Sequence, residues 1–391
     1  MDEHRGLTSL VGATARPSLP ARLDGCKFKI EELMRIAGTA RLSFGVYRQG
    51  EPAYFVNLGY RIVEQISPVE EENIFSGCSL TKIFVAMAPG RAVDEGKLAW
   101  DTRVKDLLAD FNIDNRVLRD SMTVTDILTH RTGMSIADFY LGSKNNIVIS
   151  HDDRLKFIND QVPIKPFRQD AFFDPFSIER TYIGRPPSDV ENVSRAYNTL
   201  EDATPVKVPI KSGRGTFGGS SGGIFTCVAD LLKAYAAVMD AFMDQFSTAE
   251  ASTPSTQIKL AQDLFFAKIP MAQPTYHEAS LPGALSAITM VPEHRAAIFV
   301  MTNSLSFNDC PDWVFQLLLQ EILDAPNHND YVKLSKESAE KSLQWFKDTS
   351  AALDKERINN TSPKPLEAYV GTYWNYLRID VTLDDGELSW V

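Results

Sequence analysis

Strand-like apolar runs occur near both ends of the chain, in two pairs. The two runs of the first pair are rich in β-branched and aromatic residues, and a short turn-forming segment separates the two runs of each pair. This pattern is typical of β-hairpins. The first pair is residues 41–47 and 52–62, joined by Arg48-Gln49-Gly50-Glu51, and the second is residues 284–290 and 296–302, joined by Pro292-Glu293-His294.

Helix-like spacing of apolar residues dominates the rest of the chain. Predicted helices cover residues 27–36, a segment beginning near Ser79 that Pro89-Gly90 would kink or end, most of residues 94–149, and residues 228–242, 312–323 and 329–358. The remaining predictions are a loose arm at residues 1–25, a proline-rich irregular region at residues 151–215, and short strands at residues 369–391.

Strands at both ends with helices between them predict an α+β fold. The two ends would meet in one antiparallel sheet flanked by helices, with a helical lobe between them. A small ligand would bind in the cleft between sheet and lobe. The predicted boundaries are a loose arm at 1–25, a main domain at 26–358 (sheet part 26–75 and 275–325, helical part 76–274), and a truncated C-terminal β segment at 359–391.

The composition is that of a globular protein with a substantial core. Of 391 residues, 44% are hydrophobic and 23% are charged, and the formal net charge is −11. Because no run is rich in Lys and Arg, nucleic acid and anionic membranes are not predicted partners, and an uncharged or cationic substrate is favoured. Residues 1–23 lack the apolar core of a signal peptide and no run reaches transmembrane length, so a cytoplasmic protein is predicted.

The cysteines and histidines show no metal-binding pattern. The four cysteines are scattered and are interpreted as reduced, mostly buried thiols. The histidines form neither His-x-His nor His-Glu-x-x-His, which argues against a metallohydrolase, and no metal or cofactor is predicted. These residues are Cys26, Cys78, Cys227 and Cys310, and His4, His130, His151, His277, His294 and His328.

The chemically most informative stretch is Phe75–Met87, where a small, turn-prone cluster leads into an apolar helix-like run. Ser79 is placed in the first helical turn, and Lys82 follows one turn later on the same face. This spacing brings the Lys82 amine within hydrogen-bond reach of the Ser79 hydroxyl, while N–H groups at the helix start attract negative charge. The pattern predicts a nucleophilic serine whose proton passes to Lys82, which requires a lysine pKa well below the usual value of about 10.4.

Three other patterns have simpler explanations. A second Ser-x-x-Lys, Ser338 to Lys341, lies in a charge-rich segment typical of a solvated helix. His130 is more typical of a residue that holds a loop through hydrogen bonds than of a catalytic base. The run Gly218–Gly223 lacks the lysine of a phosphate-binding loop, so a tight turn before the next helix explains it better.

Five motifs in the same order resemble the serine β-lactamase-related family. This family includes class C β-lactamases, penicillin-binding esterases and the fungal acyltransferase of the lovastatin pathway, and the resemblance is strongest to its fungal members. It runs from about Ile30 to the C-terminus and implies a β-lactamase/transpeptidase-like fold. The motifs are Ser79-Leu80-Thr81-Lys82, Val93-Asp94-Glu95-Gly96-Lys97-Leu98, Asp126-Ile127-Leu128-Thr129-His130-Arg131-Thr132-Gly133-Met134, Gly222-Gly223-Ile224-Phe225-Thr226 and His277-Glu278-Ala279-Ser280-Leu281-Pro282-Gly283.

The resemblance also implies a chemistry, in which an ester, thioester or lactam acylates a serine. Carried over by position, Ser79 would be the nucleophile and Lys82 its proton partner. His277 falls where the family has a His or Lys on the strand that lines the cleft. The backbone N–H of Ser280 would join that of Ser79 in the oxyanion hole.

The chain departs from the family pattern at three places. The Tyr-x-Asn element is missing, because Phe167-Arg168 passes almost directly into Phe173–Phe176. Tyr197-Asn198-Thr199 is a weak substitute, because its third position is not asparagine. Residues 274–277 omit a Gly- and Trp-containing segment found in fungal relatives, and Ala279 replaces a usual glycine. The tail stops after what resembles the start of a C-terminal β-domain. The chain thus resembles a family member with two internal deletions and a shortened end.

The sequence therefore predicts a serine hydrolase or acyltransferase acting on a small ester, thioester or amide, with fungal secondary metabolism as a candidate context. Slow turnover of activated esters and no useful β-lactamase activity are expected. The alternative is a catalytically impaired pseudoenzyme or small-molecule-binding protein without the Tyr-x-Asn element, and a mis-spliced transcript would also explain the deletions. The predicted partner is a small acyl compound, and the oligomeric state is left open.

Overall fold

Helices alternate with short strands in the computed structural model, which describes residues 17–60, 62–65, 72–113, 116–129, 132, 178–210, 216, 219–248, 276–358, 362–374 and 378–390. Its helices are α1 (Leu19–Ala37), α2 (Thr81–Asp94), α3 (Val104–Leu107), α4 (Arg116–Ser121), α5 (Val124–Leu128), α6 (Gly219–Gly222), α7 (Val228–Thr248), α8 (Cys310–Ile322), α9 (Tyr331–Ser342) and α10 (Gln344–Glu356). Its strands are β1 (Arg41–Arg48), β2 (Tyr54–Gly59), β3 (Phe75–Ser76), β4 (Tyr182–Ile183), β5 (Ala196–Thr199), β6 (Pro205–Val208), β7 (Ile224–Thr226), β8 (Tyr276–Leu281), β9 (Ala284–Val291), β10 (Ala296–Thr302), β11 (Ser304–Leu305), β12 (Gly371–Trp374), β13 (Arg378–Asp384) and β14 (Glu387–Trp390).

A five-stranded antiparallel sheet joins the two ends of the chain, in the order β2-β1-β10-β9-β8. β1 pairs with β10, with Phe44 opposite Val300. The prediction that both ends share one sheet is therefore confirmed, as are the two hairpins. Every residue of the central strand β10 is buried, which explains why its sequence is a continuous apolar run instead of an alternating one.

Helices cover both faces of this sheet. Ile298 and Val300 of β10 belong to a core shared with α1 and α8 on one face, while Phe299 and Met301 belong to a core shared with α7 on the other. On the α7 side, the Tyr235 and Phe299 rings meet edge to face with 4.8 Å between centroids. The α+β fold predicted from the sequence is confirmed, and α7, which the prediction assigned to the helical part, packs on the sheet.

The predicted loose arm at residues 1–25 is wrong from Leu19 onward, because α1 begins there. Leu19 and Leu23 are buried in the core shared with α8, and Pro20 lies in the first turn, where its missing N–H removes no helical hydrogen bond. Burial of this apolar face outweighs the polar character of the segment. Residues 1–16 lie outside the described residues.

Two further element boundaries differ from prediction. Pro89-Gly90 does not end α2, which continues to Asp94. Phe84 and Met87 are buried in cores that α7 shares, and this packing offsets the roughly 3 kcal/mol that an interior proline costs. The predicted helical stretch 329–358 is two helices, α9 and α10, that meet at Leu343.

The predicted irregular region 151–215 contains short strands in its described part. β5 and β6 pair as a hairpin, β5 also pairs with β11, and Ala196 and Tyr197 of β5 are buried. The predicted strands of the tail are confirmed as a separate three-stranded antiparallel sheet, β12-β13-β14. Within the described ranges, no helix combines the length and apolar character needed to cross a membrane.

Candidate active site

Ser79 lies in a 3-10 turn, Cys78–Leu80, that leads directly into α2. The turn follows β3, which pairs with β7, and the Gly77 N–H donates to the Ile224 carbonyl O at 2.7 Å. Cys78 has a φ of 46°, in the left-handed region that few non-glycine residues adopt. The chain thus turns sharply before the helix, and Ser79 is half-buried while Cys78 and Leu80 are fully buried.

Lys82 is held next to this serine. Its Nζ lies 2.6 Å from Ser79 Oγ and donates to the main-chain carbonyl O of Ser221 at 3.2 Å. These contacts hold the half-buried amine against the hydroxyl, as a lysine-activated serine nucleophile requires. The predicted proximity of Ser79 and Lys82 is confirmed, whereas their catalytic roles stay predictions.

Ser221 was not predicted from the sequence. It contributes a main-chain carbonyl, which every residue has, so no residue type marks it. The only signal is the run of small residues around it: a side chain at Gly222 would meet Leu281 Cδ1 at 3.1 Å and the carbonyl carbon of Cys78 at 3.6 Å. The glycines therefore allow α6 to approach the Ser79 turn closely.

The backbone of Ser280 faces the outer edge of β8, the last strand of the five-stranded sheet. Ser280 lies opposite Leu285 on β9, and Thr302 Oγ1 bonds to both the N–H and the carbonyl of Leu285 on the β10 side, at 3.3 and 3.0 Å. The N–H and C=O of a strand residue point to the same side, so the Leu285 backbone points toward β10 and does not pair with Ser280. The N–H and C=O of Ser280 therefore point to the outer edge of the sheet. β8 also lies against the Ser79 turn, and the role of Ser280 as an oxyanion donor stays a prediction.

The Cys78 thiol is not a competing nucleophile. Burial raises its pKa to about 12, so it is protonated at neutral pH and lacks the thiolate needed for attack. Its Sγ donates to the Ala284 carbonyl O at 3.7 Å. The thiol therefore packs between the Ser79 turn and the β8–β9 hairpin.

Of the other candidates from the sequence, the structure describes the side chain of Tyr197. His277 lies on β8 opposite Ile288, but its side chain is outside the described residues, as are His130 and the Phe167–Phe176 junction. The Tyr197 hydroxyl accepts from the Val63 N–H at 3.1 Å and donates to Glu64 Oε2 at 2.8 Å. It thus holds the 63–65 turn, which gives no support to Tyr197 as a replacement for the missing tyrosine.

A sequence model of the Beta-lactamase family matches residues 29–168 and 159–321, most of the chain. The chain belongs to the Beta-lactamase family. The two matched segments overlap at residues 159–168, directly before the position of the first predicted deletion. No curated protein sequence matches the chain.

Solved structures that share this fold include a penicillin-binding protein homologue and a class C β-lactamase. A penicillin-binding protein homologue from Pyrococcus abyssi, described as octameric, is 18% identical with a TM-score of 0.62, covering 95% of this chain and 89% of its own. A class C β-lactamase is also 18% identical, with a TM-score of 0.56, covering 80% of this chain and 97% of its own. At such identities the likeness establishes the fold and leaves the substrate open.

Proposed function

We propose that this chain is a serine hydrolase or acyltransferase that acts on a small ester, thioester or amide through an acyl-Ser79 intermediate. The observation that carries the proposal is the 2.6 Å contact between Ser79 Oγ and Lys82 Nζ at the head of a helix whose Phe84 and Met87 are buried. Membership of the Beta-lactamase family supports it. Acyl transfer in fungal secondary metabolism is the finer form of the proposal and rests on sequence resemblance.

In the acylation step, Ser79 Oγ attacks the acyl carbonyl carbon and its proton passes to neutral Lys82. The carbonyl oxygen becomes an oxyanion, which the N–H groups of Ser79 and Ser280 stabilise. Collapse of this intermediate breaks the bond to the leaving alcohol, thiol or amine, which takes the proton from Lys82. Water, or an acceptor alcohol or amine, then attacks acyl-Ser79 in the reverse sequence and regenerates the serine.

The missing Tyr-x-Asn element favours a second candidate, a pseudoenzyme that binds a small acyl compound without turnover. Loss of a positioned proton-transfer group typically lowers a rate by about 10² to 10⁴. Turnover would then be slow, but Ser79 would still react with a strong electrophile. Acylation and turnover therefore need separate measurements.

The test compares p-nitrophenyl ester hydrolysis by wild type, Ser79→Ala and Lys82→Ala, with Ser338→Ala as the matched control at the other Ser-x-x-Lys. A fluorophosphonate probe followed by peptide mapping locates the reactive serine. We expect slow hydrolysis that both site variants abolish and the control retains, with label on Ser79. Equal background hydrolysis in all four proteins would favour the pseudoenzyme, and label on Ser338 would overturn the assignment.

A further inference from the structure

Thr81, the residue between the Ser79 turn and Lys82, makes two side-chain hydrogen bonds that link the turn to β7. Its hydroxyl donates to the Cys78 carbonyl O at 2.6 Å and accepts from the Ile224 N–H at 3.1 Å. The side chain is 7% exposed. The backbone N–H of Thr81 also donates to the Cys78 carbonyl, so this carbonyl carries two hydrogen bonds from one residue.

The Cys78 carbonyl belongs to the same peptide unit as the Ser79 N–H, the proposed oxyanion donor. This peptide bond is trans, and in a planar trans peptide the C=O and the N–H point in opposite directions. Holding the carbonyl toward Thr81 therefore directs the Ser79 N–H away from Thr81. The orientation of the oxyanion donor thus depends on what holds the carbonyl.

The hydroxyl also makes this peptide part of a chain of hydrogen bonds. The chain runs from the Ile224 N–H through Thr81 Oγ1 to the Cys78 carbonyl, and hydrogen bonds in series polarise one another. A polarised carbonyl makes the N–H of its own peptide a stronger donor. Ile224 also anchors the other side of the turn, because its carbonyl accepts from Gly77.

We propose that Thr81 is a positioning residue for the oxyanion hole: its hydroxyl orients and polarises the Cys78–Ser79 peptide, whose N–H stabilises the transition state. The proposal rests on the proposed function of Ser79. A threonine hydroxyl that bonds a carbonyl in the preceding turn also occurs as a local backbone contact. A purely structural role would change stability, whereas an oxyanion role changes the rate in a way that depends on the substrate's carbonyl.

The kinetic test compares Thr81→Val, which keeps the shape and removes the hydroxyl, with Thr81→Ser, which keeps the hydroxyl. The substrates are a p-nitrophenyl ester and its thionoester, in which sulfur, a weaker hydrogen-bond acceptor, replaces the carbonyl oxygen. Removing an oxyanion donor outright lowers kcat by about 10² to 10³. Misdirecting one is expected to lower kcat for the ester about 10-fold to 100-fold with KM nearly unchanged.

The expected pattern is a large loss on the ester, a smaller loss on the thionoester, and rescue of both by Thr81→Ser. Equal losses on the two substrates, or no loss, would overturn the proposal. Ser79→Ala run in parallel tests the proposed function separately, since it abolishes hydrolysis whatever Thr81 does.

A second readout does not need turnover. The backbone amide proton of Ser79, observed by NMR in deuterated protein, is expected to shift upfield in Thr81→Val and to return in Thr81→Ser, because the carbonyl loses one hydrogen bond. An unchanged amide shift in Thr81→Val would overturn the proposal, even if wild type proved inactive and the proposed function had failed.

Discussion

Replacing Gly283 with alanine should weaken the fold beside the candidate site. Gly283 follows Pro282 in the turn between β8 and β9 and has a φ of +85°. A Cβ at this position would lie 2.4 Å from Ala196 Cβ and 2.6 Å from Val208 Cγ2. These atoms belong to the β5–β6 hairpin, so the substitution would push that hairpin away from the strand that carries Ser280.

The expected loss of stability in Gly283→Ala has two parts, a backbone cost and a packing cost. An L-residue in the left-handed region costs roughly 1–2 kcal/mol, of which about 0.4–1 kcal/mol is offset because alanine restricts the unfolded chain. Forcing a methyl group into a packed site costs a further 1–3 kcal/mol or so. We therefore expect Gly283→Ala to lower the free energy of unfolding by about 2–4 kcal/mol.

Gly50 provides a matched control in the β1–β2 turn. Its φ is +84° and a Cβ there would meet no atom within 4 Å, so Gly50→Ala carries the backbone cost without the clash. Gly50→Ala is expected to lower the free energy of unfolding by about 1 kcal/mol or less. Urea unfolding of both variants measures the difference, and equal losses would refute the packing argument.

Three further predictions concern Asp230 and the buried thiols. Asp230→Ala should lower the free energy of unfolding by about 1–3 kcal/mol, and Asp230→Asn should lower it by less. The reason is that the Asp230 carboxylate accepts from the Arg180 N–H at 2.7 Å and from the Thr181 hydroxyl at 3.0 Å. Equal stability of Asp230→Ala and wild type in urea unfolding would contradict this prediction. Burial raises the pKa of Cys78, Cys227 and Cys310 from 9.0 to about 12. The folded state then keeps protons that the unfolded state loses, so stability is full below pH 9 and should fall as the pH rises toward 12. All four thiols, which are buried, should react with a thiol reagent in denaturant and not in native protein at about pH 8; rapid native labelling would show that the core opens.

Features that depend on the pattern of side chains could be predicted from the sequence. Features that depend on main-chain geometry could not. The hairpins follow from their β-branched runs, and the Ser79–Lys82 pair follows from helical spacing, because each depends on residue types at fixed intervals. The Ser221 carbonyl and the turn of Cys78 into the left-handed region have no comparable signature. The start of α1 has no clear signal in the sequence, because the burial of Leu19 and Leu23 depends on α8, which lies far along the chain.

The described anchors of the Ser79–Lys82 contact lie on β7, α6 and α7. The turn is anchored by β7, Lys82 is oriented by α6, and α2 packs against α7, which lies on the sheet. If the predicted deletion removed a catalytic tyrosine, these described anchors would still hold the pair. Loss of the tyrosine would slow proton transfer to the leaving group, a step that follows attack by the serine. For that reason we expect full labelling of Ser79 by a fluorophosphonate together with slow ester turnover, a combination that neither an intact enzyme nor a collapsed site would give.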